Sequence, residues 1–188
     1  MSEKRFLFRS FSLYNSKSAQ KVGTDAVLLG AWAAQSFTPK TVADIGSGTG
    51  VIGMMLAQRF PMAQISLLEN DAASLDECRK SLEYSPWKDR IQLESEDFLE
   101  WDSRQSFDLV ISNPPYFLNS LPSAKEDRRK ARHLKEHQFN SWLEKMTHIC
   151  SPNGRIALII PFQLNFDIPG WSISRFLHVR NNPSKEPV

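Results

Sequence analysis

Hydrophobic positions along the chain alternate between two periods. Thr41-Val-Ala-Asp-Ile45, Gln64-Ile-Ser-Leu-Leu68, Arg90-Ile-Gln-Leu93, Phe107-Asp-Leu-Val-Ile-Ser112 and Arg155-Ile-Ala-Leu-Ile-Ile160 are short apolar runs that read as buried strands. Between them, Val51 to Gln58, Ala72 to Leu82 and Phe139 to Cys150 carry apolar residues at helical spacing, with Trp142, Leu143, Met146 and Ile149 as the buried face of the last. Strand and helix in alternation predict an α/β fold with a mostly parallel, doubly wound sheet. Ahead of this, Phe6, Phe8, Phe11 and Leu13 suggest a short strand or hairpin over Arg5 to Tyr14. Ala26 to Ala34 is apolar on nearly every face and reads as a largely buried helix, capped by Thr24 or Asp25, with Trp32 in the core. Ser151-Pro-Asn-Gly154 reads as a turn, and Ser174 to Val179 as one further strand.

Composition narrows the class. At 188 residues, with 41% hydrophobic and 23% charged, the chain suits one soluble domain. Within it, residues 1–34 form an N-terminal extension and first helix, 35–161 a ligand-binding core and 162–188 a short C-terminal segment. No apolar run is long enough for a membrane span, and Lys4, Arg5 and Arg9 break up the start of the chain, so a cytoplasmic protein is expected. Cys78 and Cys150 lack CxxC spacing, and the helical pair His133 and His137 has no Glu-x-x-His or Cys partner, so no metal site is expected. A monomer is expected. The net charge of +2 decides nothing alone, but its distribution is uneven. Basic residues gather before Lys21 and again from Lys125 to Lys135, which makes Lys21, Arg128, Arg129, Lys130, Arg132 and His133 candidate RNA contacts. A solvated helix face would carry the second cluster equally well.

Candidate chemistry sits at the strand ends. Asp44-Ile-Gly-Ser-Gly-Thr-Gly50 places glycines between a strand and a helix, where backbone must approach a ligand closely. It is neither the Gly-x-Gly-x-x-Gly dinucleotide fingerprint nor a P-loop, which counts against NAD and ATP. Glu69 ends the next strand about 20 residues on, the spacing of a carboxylate that accepts both ribose hydroxyls of a nucleoside. Asp97 follows the third strand and can accept from an adenine amino group while an apolar neighbour packs the ring.

Asn113-Pro-Pro-Tyr116 follows the fourth strand. An exocyclic amino group on adenine is a poor nucleophile because its lone pair is delocalised. An Asn oxygen and the carbonyl before a Pro-Pro step could hold both N–H bonds and turn the lone pair toward a methyl donor, with no strong base needed. Consecutive prolines hold those acceptors still, and Tyr116 offers a face for base stacking. A Pro-rich loop that closes an edge strand fits the same four residues.

These motifs resemble those of S-adenosylmethionine-dependent amino methyltransferases with a Rossmann-like class I fold. Lys21-Val-Gly-Thr-Asp-Ala-Val-Leu-Leu-Gly-Ala-Trp32, Asn113-Pro-Pro-Tyr-Phe117, Ala131-Arg-His133 and His178-Val-Arg-Asn-Asn-Pro-Ser-Lys185 more closely resemble the bacterial tRNA(Val) adenine-N6 methyltransferases. The resemblance implies S-adenosylmethionine as cofactor and tRNA as partner, with methylation of an adenosine beside the anticodon. It implies that Thr24 and the loop Gly46, Gly48, Gly50 surround the methionine part, that Asp44 orients the loop or the cofactor's amino group, and that Glu69 takes the ribose. Asp97 and Phe98 would hold the adenine. Asn113 and the Pro114 carbonyl would orient the substrate N6, with Pro115 and Tyr116 completing the loop. In that family a terminal antiparallel hairpin completes the sheet, and here it is expected to be incomplete. The same loop suits guanine N2 of ribosomal RNA or a protein glutamine amide, and a non-catalytic RNA-binding subunit could keep the fold. The basic cluster favours RNA.

Overall fold

The computed structural model describes residues 4–18, 21–114, 138–161, 164, 166 and 168–179. In chain order these form β1 (Arg5–Leu7), β2 (Ser12–Tyr14), α1 (Thr24–Trp32), β3 (Thr41–Ile45), α2 (Val51–Arg59) and β4 (Gln64–Glu69). Then follow α3 (Ala72–Glu83), β5 (Ile91–Ser95), β6 (Phe107–Ser112), α4 (residues 138–149) and β7 (Cys150–Leu158). The chain divides into two compact units, one of Met1–Pro115 with Met146–Ile159, the other of Tyr116–Lys145 with Ile160–Val188.

The first unit holds the five-stranded sheet, in the order β5-β4-β3-β6-β7 with every pair parallel. Its strands are apolar on both sides because both faces are covered, as parallel sheets require. Val42, Ile45, Leu67, Leu109 and Ile111 are almost wholly buried. Register decides where the site lies: Ile45 pairs with Leu68 on one side and Ser112 on the other. The three strands therefore end level, and the residues just beyond them emerge along one edge. The Ser112 hydroxyl fixes this by donating to the Ile45 carbonyl at 2.7 Å.

Two arginines close helix ends. Arg59 donates from Nη1 to the carbonyls of Ala31 in the last turn of α1 and of Ala33 just beyond it. Arg90 reaches the end of α2, with Nη1 donating to Phe60 and Ala63 and Nη2 to Ala57. Each places a cation at carbonyls in and just past the last turn of a helix, the negative end of its dipole.

The hairpin expected before the main domain is β1 paired antiparallel with β2, and it is tied to α3 by the Tyr14 N–H, which donates to Ser81 Oγ at 2.9 Å. Other expectations change. The cap of α1 is Gly23 in extended geometry, with no side-chain cap bond, because the helix already includes Thr24 and Asp25. That helix buries only Ala26, Leu29 and Gly30, leaving Ala31 exposed and Trp32 half-buried, so its apolar residues are not evidence of all-round burial. The turn at Ser151 to Gly154 is absorbed into β7 as a bulge: Phe107 pairs with Cys150 and Leu109 with Arg155, so the extra β7 residues bow out, Pro152 among them.

In the second unit, Phe139 on α4 is buried and meets Phe166 edge to face. Trp142, Leu143, Met146 and Ile149 are buried along α4, as their spacing predicts, the last two falling in the first unit. Ser174 to Val179 is not a strand; it is largely exposed chain that makes no ladder among the described residues. No helix among the described residues is long and apolar enough to cross a membrane.

Arg90→Met keeps the aliphatic stem but leaves three carbonyls without their cation. Urea denaturation of the variant is expected to show a loss of about 1.5–3 kcal/mol with an unchanged far-ultraviolet dichroism spectrum.

Candidate functional site

From β3 the chain adds β4 and β5 on one side, then returns to place β6 on the other. Such a reversal opens a crevice at the carboxyl ends of the two diverging strands. β3 delivers the glycine loop to it and β6 delivers Asn113.

The loop owes its shape to glycine. Gly46, Gly48 and Gly50 have φ of 66°, 56° and 82°, a region that strains any side chain. At Gly50 space is also closed: a Cβ there would lie 2.9 Å from Cys78 Sγ and 3.1 Å from Leu67 Cδ1, so the loop rests directly on α3 and β4. At Gly48 a Cβ would meet nothing within 4 Å among the described residues. One glycine seats the loop and the other leaves room above it.

Glu69 holds that loop open-handed. Its Oε2 accepts from the Gly48 N–H at 2.7 Å, and its Oε1 accepts from the N–H groups of Asn70 and Asp71, both at 2.8 Å. An ionised carboxylate has about four acceptor positions, so a ligand hydroxyl can bind without displacing the loop. Asn70 carries the network on by donating from Nδ2 to Asp97 Oδ2 at 3.0 Å, which brings Glu69 and Asp97 to one edge as their strand positions predict. Asp97 also turns its own loop, accepting from the Leu99 N–H at 2.8 Å. Beside it, Phe98 is buried.

Asp44 lies beneath the loop and is fully buried. Its Oδ2 accepts from the Gly53 N–H at 2.9 Å, while Oδ1 has no partner among the described residues. Gly53 is required there, because a Cβ would fall 2.2 Å from Leu67 Cδ2. Burial pushes the Asp44 carboxyl up from 3.8 to about 7; the Gly53 bond works against this and the charge of Glu69 adds to it. Ser47 Oγ and Asn113 Oδ1 are likewise buried without a partner.

A buried polar atom left unpaired costs about 1–3 kcal/mol, and proteins rarely tolerate it. Here three such atoms belong to the ends of two adjacent strands at the switch point. The arrangement suits a ligand that brings donors and positive charge. It fits S-adenosylmethionine, whose ammonium and hydroxyl groups donate and whose sulfonium is cationic. Among the described residues, no group of three or more His, Cys, Asp or Glu could hold a metal ion.

The sequence-predicted residues divide three ways. Asp44, Gly46, Gly48, Gly50, Glu69, Asp97 and Asn113 gather along the carboxyl edge of the sheet, and Pro114 is buried beside Asn113. Thr24 and Lys21 are exposed, at and just before the start of α1, and do not join the network that links Gly48, Glu69, Asn70 and Asp97. Pro115, Tyr116, Arg128, Arg129, Lys130, Arg132 and His133 lie outside the described residues. Ser47, Gly53, Asn70 and Cys78 were not foreseen. Ser47 lies within the glycine motif and could have been singled out; the others act through contacts that no local pattern encodes.

The methyltransferase small domain family matches residues 15–126. The chain is 40% identical over 162 residues to the tRNA1(Val) (adenine(37)-N6)-methyltransferase of Bacteroides thetaiotaomicron, covering 86% of this chain and 68% of that protein. It is 36% identical to the protein of the same name from Phocaeicola vulgatus, covering 97% and 80%. Among solved structures, TrmN from Thermus thermophilus superposes with a TM-score of 0.56 at 20% identity, covering 72% of this chain and 37% of that one, a likeness of fold.

Because the folded value of Asp44 lies above the unfolded 3.8, the ligand-free protein binds this proton more tightly than the unfolded chain, and its stability falls as pH rises toward about 7. Asp44→Asn removes that penalty. The ligand-free variant is expected to exceed the wild type by about 1–3 kcal/mol in urea denaturation near pH 8, with the gap closing by about pH 4.

Proposed function

The chain belongs to the methyltransferase small domain family, and we propose, from its similarity to proteins named tRNA1(Val) (adenine(37)-N6)-methyltransferase, that it methylates N6 of the adenosine beside the anticodon of tRNA(Val). S-adenosylmethionine, when bound, supplies the electrophilic methyl group. The observation that carries the reading is Asn113 Oδ1, a buried acceptor with no partner among the described residues, set next to the strand whose glycine loop suits that cofactor.

Each residue has a part derived from its chemistry. Asn113 Oδ1 accepts one N–H of the adenine amino group and the Pro114 carbonyl the other, so that the nitrogen lone pair is held toward the methyl group. No base has to remove a proton before attack, because positioned acceptors stabilise the positive charge that grows on the nitrogen. As the N–CH3 bond forms the S–CH3 bond would break to leave a neutral thioether, and the nitrogen's extra proton would then pass to solvent. Pro115 keeps the loop rigid and Tyr116 stacks on the base. Glu69 takes a ribose hydroxyl of the cofactor through the acceptor position its three backbone donors leave, and Asp97 accepts from its adenine amino group, with Phe98 against the ring. Gly46, Gly48 and Gly50 present backbone to the methionine part, while Asp44 and Ser47 supply acceptors beneath it and Thr24 flanks it. Burial makes Asp44 easy to protonate, so a ligand ammonium recovers more from its charge than it would from a solvated carboxylate. Lys21, Arg128, Arg129, Lys130, Arg132 and His133 contact tRNA phosphates, and the protein works as a cytoplasmic monomer without a metal.

The test uses total tRNA from a strain lacking this modification, labelled S-adenosylmethionine and nucleoside analysis. Wild type is expected to form N6-methyladenosine. Asn113→Ala is expected to lower kcat by about 10²–10³-fold while cofactor binding, read by calorimetry, stays close to wild type. Label in a guanosine or in protein would overturn the acceptor, and full activity of Asn113→Ala would overturn the role of Asn113.

A further inference from the structure

One buried charge lies outside the chemistry just described. Glu77 on α3 is 2% exposed, and both its oxygens are taken up by the segment between β2 and α1. Oε1 accepts from the Ser16 N–H at 2.5 Å, the Ser16 hydroxyl at 2.9 Å and the Lys17 N–H at 2.7 Å, and Oε2 accepts from the Ser18 N–H at 2.9 Å. Successive backbone N–H groups converging on one carboxylate form an anion nest. One turn further along α3, Ser81 accepts from the Tyr14 N–H at 2.9 Å and donates to the Glu77 carbonyl at 2.7 Å. The Val22 N–H donates to Asn15 Oδ1 at 3.2 Å, so the segment is also tied across its own ends just before α1. Burial alone would weaken the acid, but the bonds from Ser18, Lys17 and Ser16 outweigh it and bring the Glu77 carboxyl down to about 2.

The position of this anchor ties it to the site. The neighbouring residue, Cys78, is the one that Gly50 rests against, and Glu69, just before α3, holds the Gly48 N–H. α3 therefore supports the glycine loop and the 16–18 segment within one turn. Beyond that segment the chain runs through Lys21 and Gly23 into Thr24. We infer that Glu77 is a positioning residue for cofactor binding: it fastens residues 16–18 to α3 beside the glycine loop and so sets the chain that enters α1 against the methionine end of S-adenosylmethionine. The inference rests on the reading of the loop as that cofactor's site.

Glu77→Gln in the full chain keeps the size and one acceptor but loses the charge. Calorimetry with S-adenosylmethionine and steady-state kinetics on tRNA are run beside Arg90→Met, a comparator weakened away from the segment. Glu77→Gln is expected to raise Kd and KM for the cofactor about 10-fold with kcat within about 3-fold, and to speed tryptic cleavage after Lys17. Cofactor is expected to slow that cleavage in the wild type. Ser16→Ala, which deletes one donor, should move Kd the same way by about 2–3-fold, and decides the matter if Glu77→Gln does not fold. A folded Glu77→Gln that binds cofactor as the wild type does overturns the inference. So does an equal rise in KM for Arg90→Met at a matched loss of Tm. Wild type that binds cofactor but methylates no tRNA overturns the proposed acceptor, and the calorimetric comparison then still decides on Glu77; wild type that binds no cofactor overturns both.

Discussion

A carboxylate buried at the end of the central strand constrains everything around it. Asp44 has one oxygen bonded to Gly53 and the other without a partner among the described residues, and a group so placed is costly. Keeping it there demands a helix packed close enough to bond it, which demands glycine at 53, where a side chain would collide with Leu67. The loop that covers it turns tightly, with glycines at positive φ on both sides of Ser47. The level ends of β4 and β6 then place Glu69 and Asn113 on either flank.

α3 joins these demands to the rest of the first unit. Its start is fixed by Asp71, whose side chain accepts from the Ser74 N–H at 2.8 Å. Its inner face supports Gly50 through Cys78, and its buried polar residues Glu77 and Ser81 hold the segment that follows the hairpin. Burial and hydrogen bonding act oppositely on the two buried acids. Asp44, with one backbone donor, is pushed up; Glu77, with three backbone donors and a hydroxyl, is pulled down. The difference separates a carboxylate prepared to meet a ligand from one already satisfied by the protein.

The strands were legible because a parallel sheet buried on both faces writes itself as continuous apolar runs, and β3 and β6 fall on the residues their runs predict. The site edge was legible for the same reason: once strand ends are known, Asp44, Glu69, Asp97 and Asn113 follow from topology. What was not legible depends on distance along the chain. The bond from Ser16 to Glu77 joins residues 61 apart, and Arg90 reaches Ala57 across 33. Composition misled at α1, where apolar residues on every face coincide with burial of only one, and at Ser174 to Val179, where alternation without a neighbouring strand makes no sheet.

Preorganisation explains why a protein would accept several unpaired acceptors at once. A loop that had to order itself on binding would spend about 1–2 kcal/mol per residue in backbone entropy, much of what a cofactor's hydrogen bonds return. Here Glu69 already fixes Gly48, Cys78 and Leu67 already seat Gly50, and Ser112 already locks the end of β6 to the end of β3. Asp44, Ser47 and Asn113 each hold a buried acceptor with no partner among the described residues, a cost that a ligand reaching those acceptors would relieve. The same rigidity serves transfer, because acceptors that cannot follow a wandering amino group favour the one geometry in which its lone pair meets the methyl group.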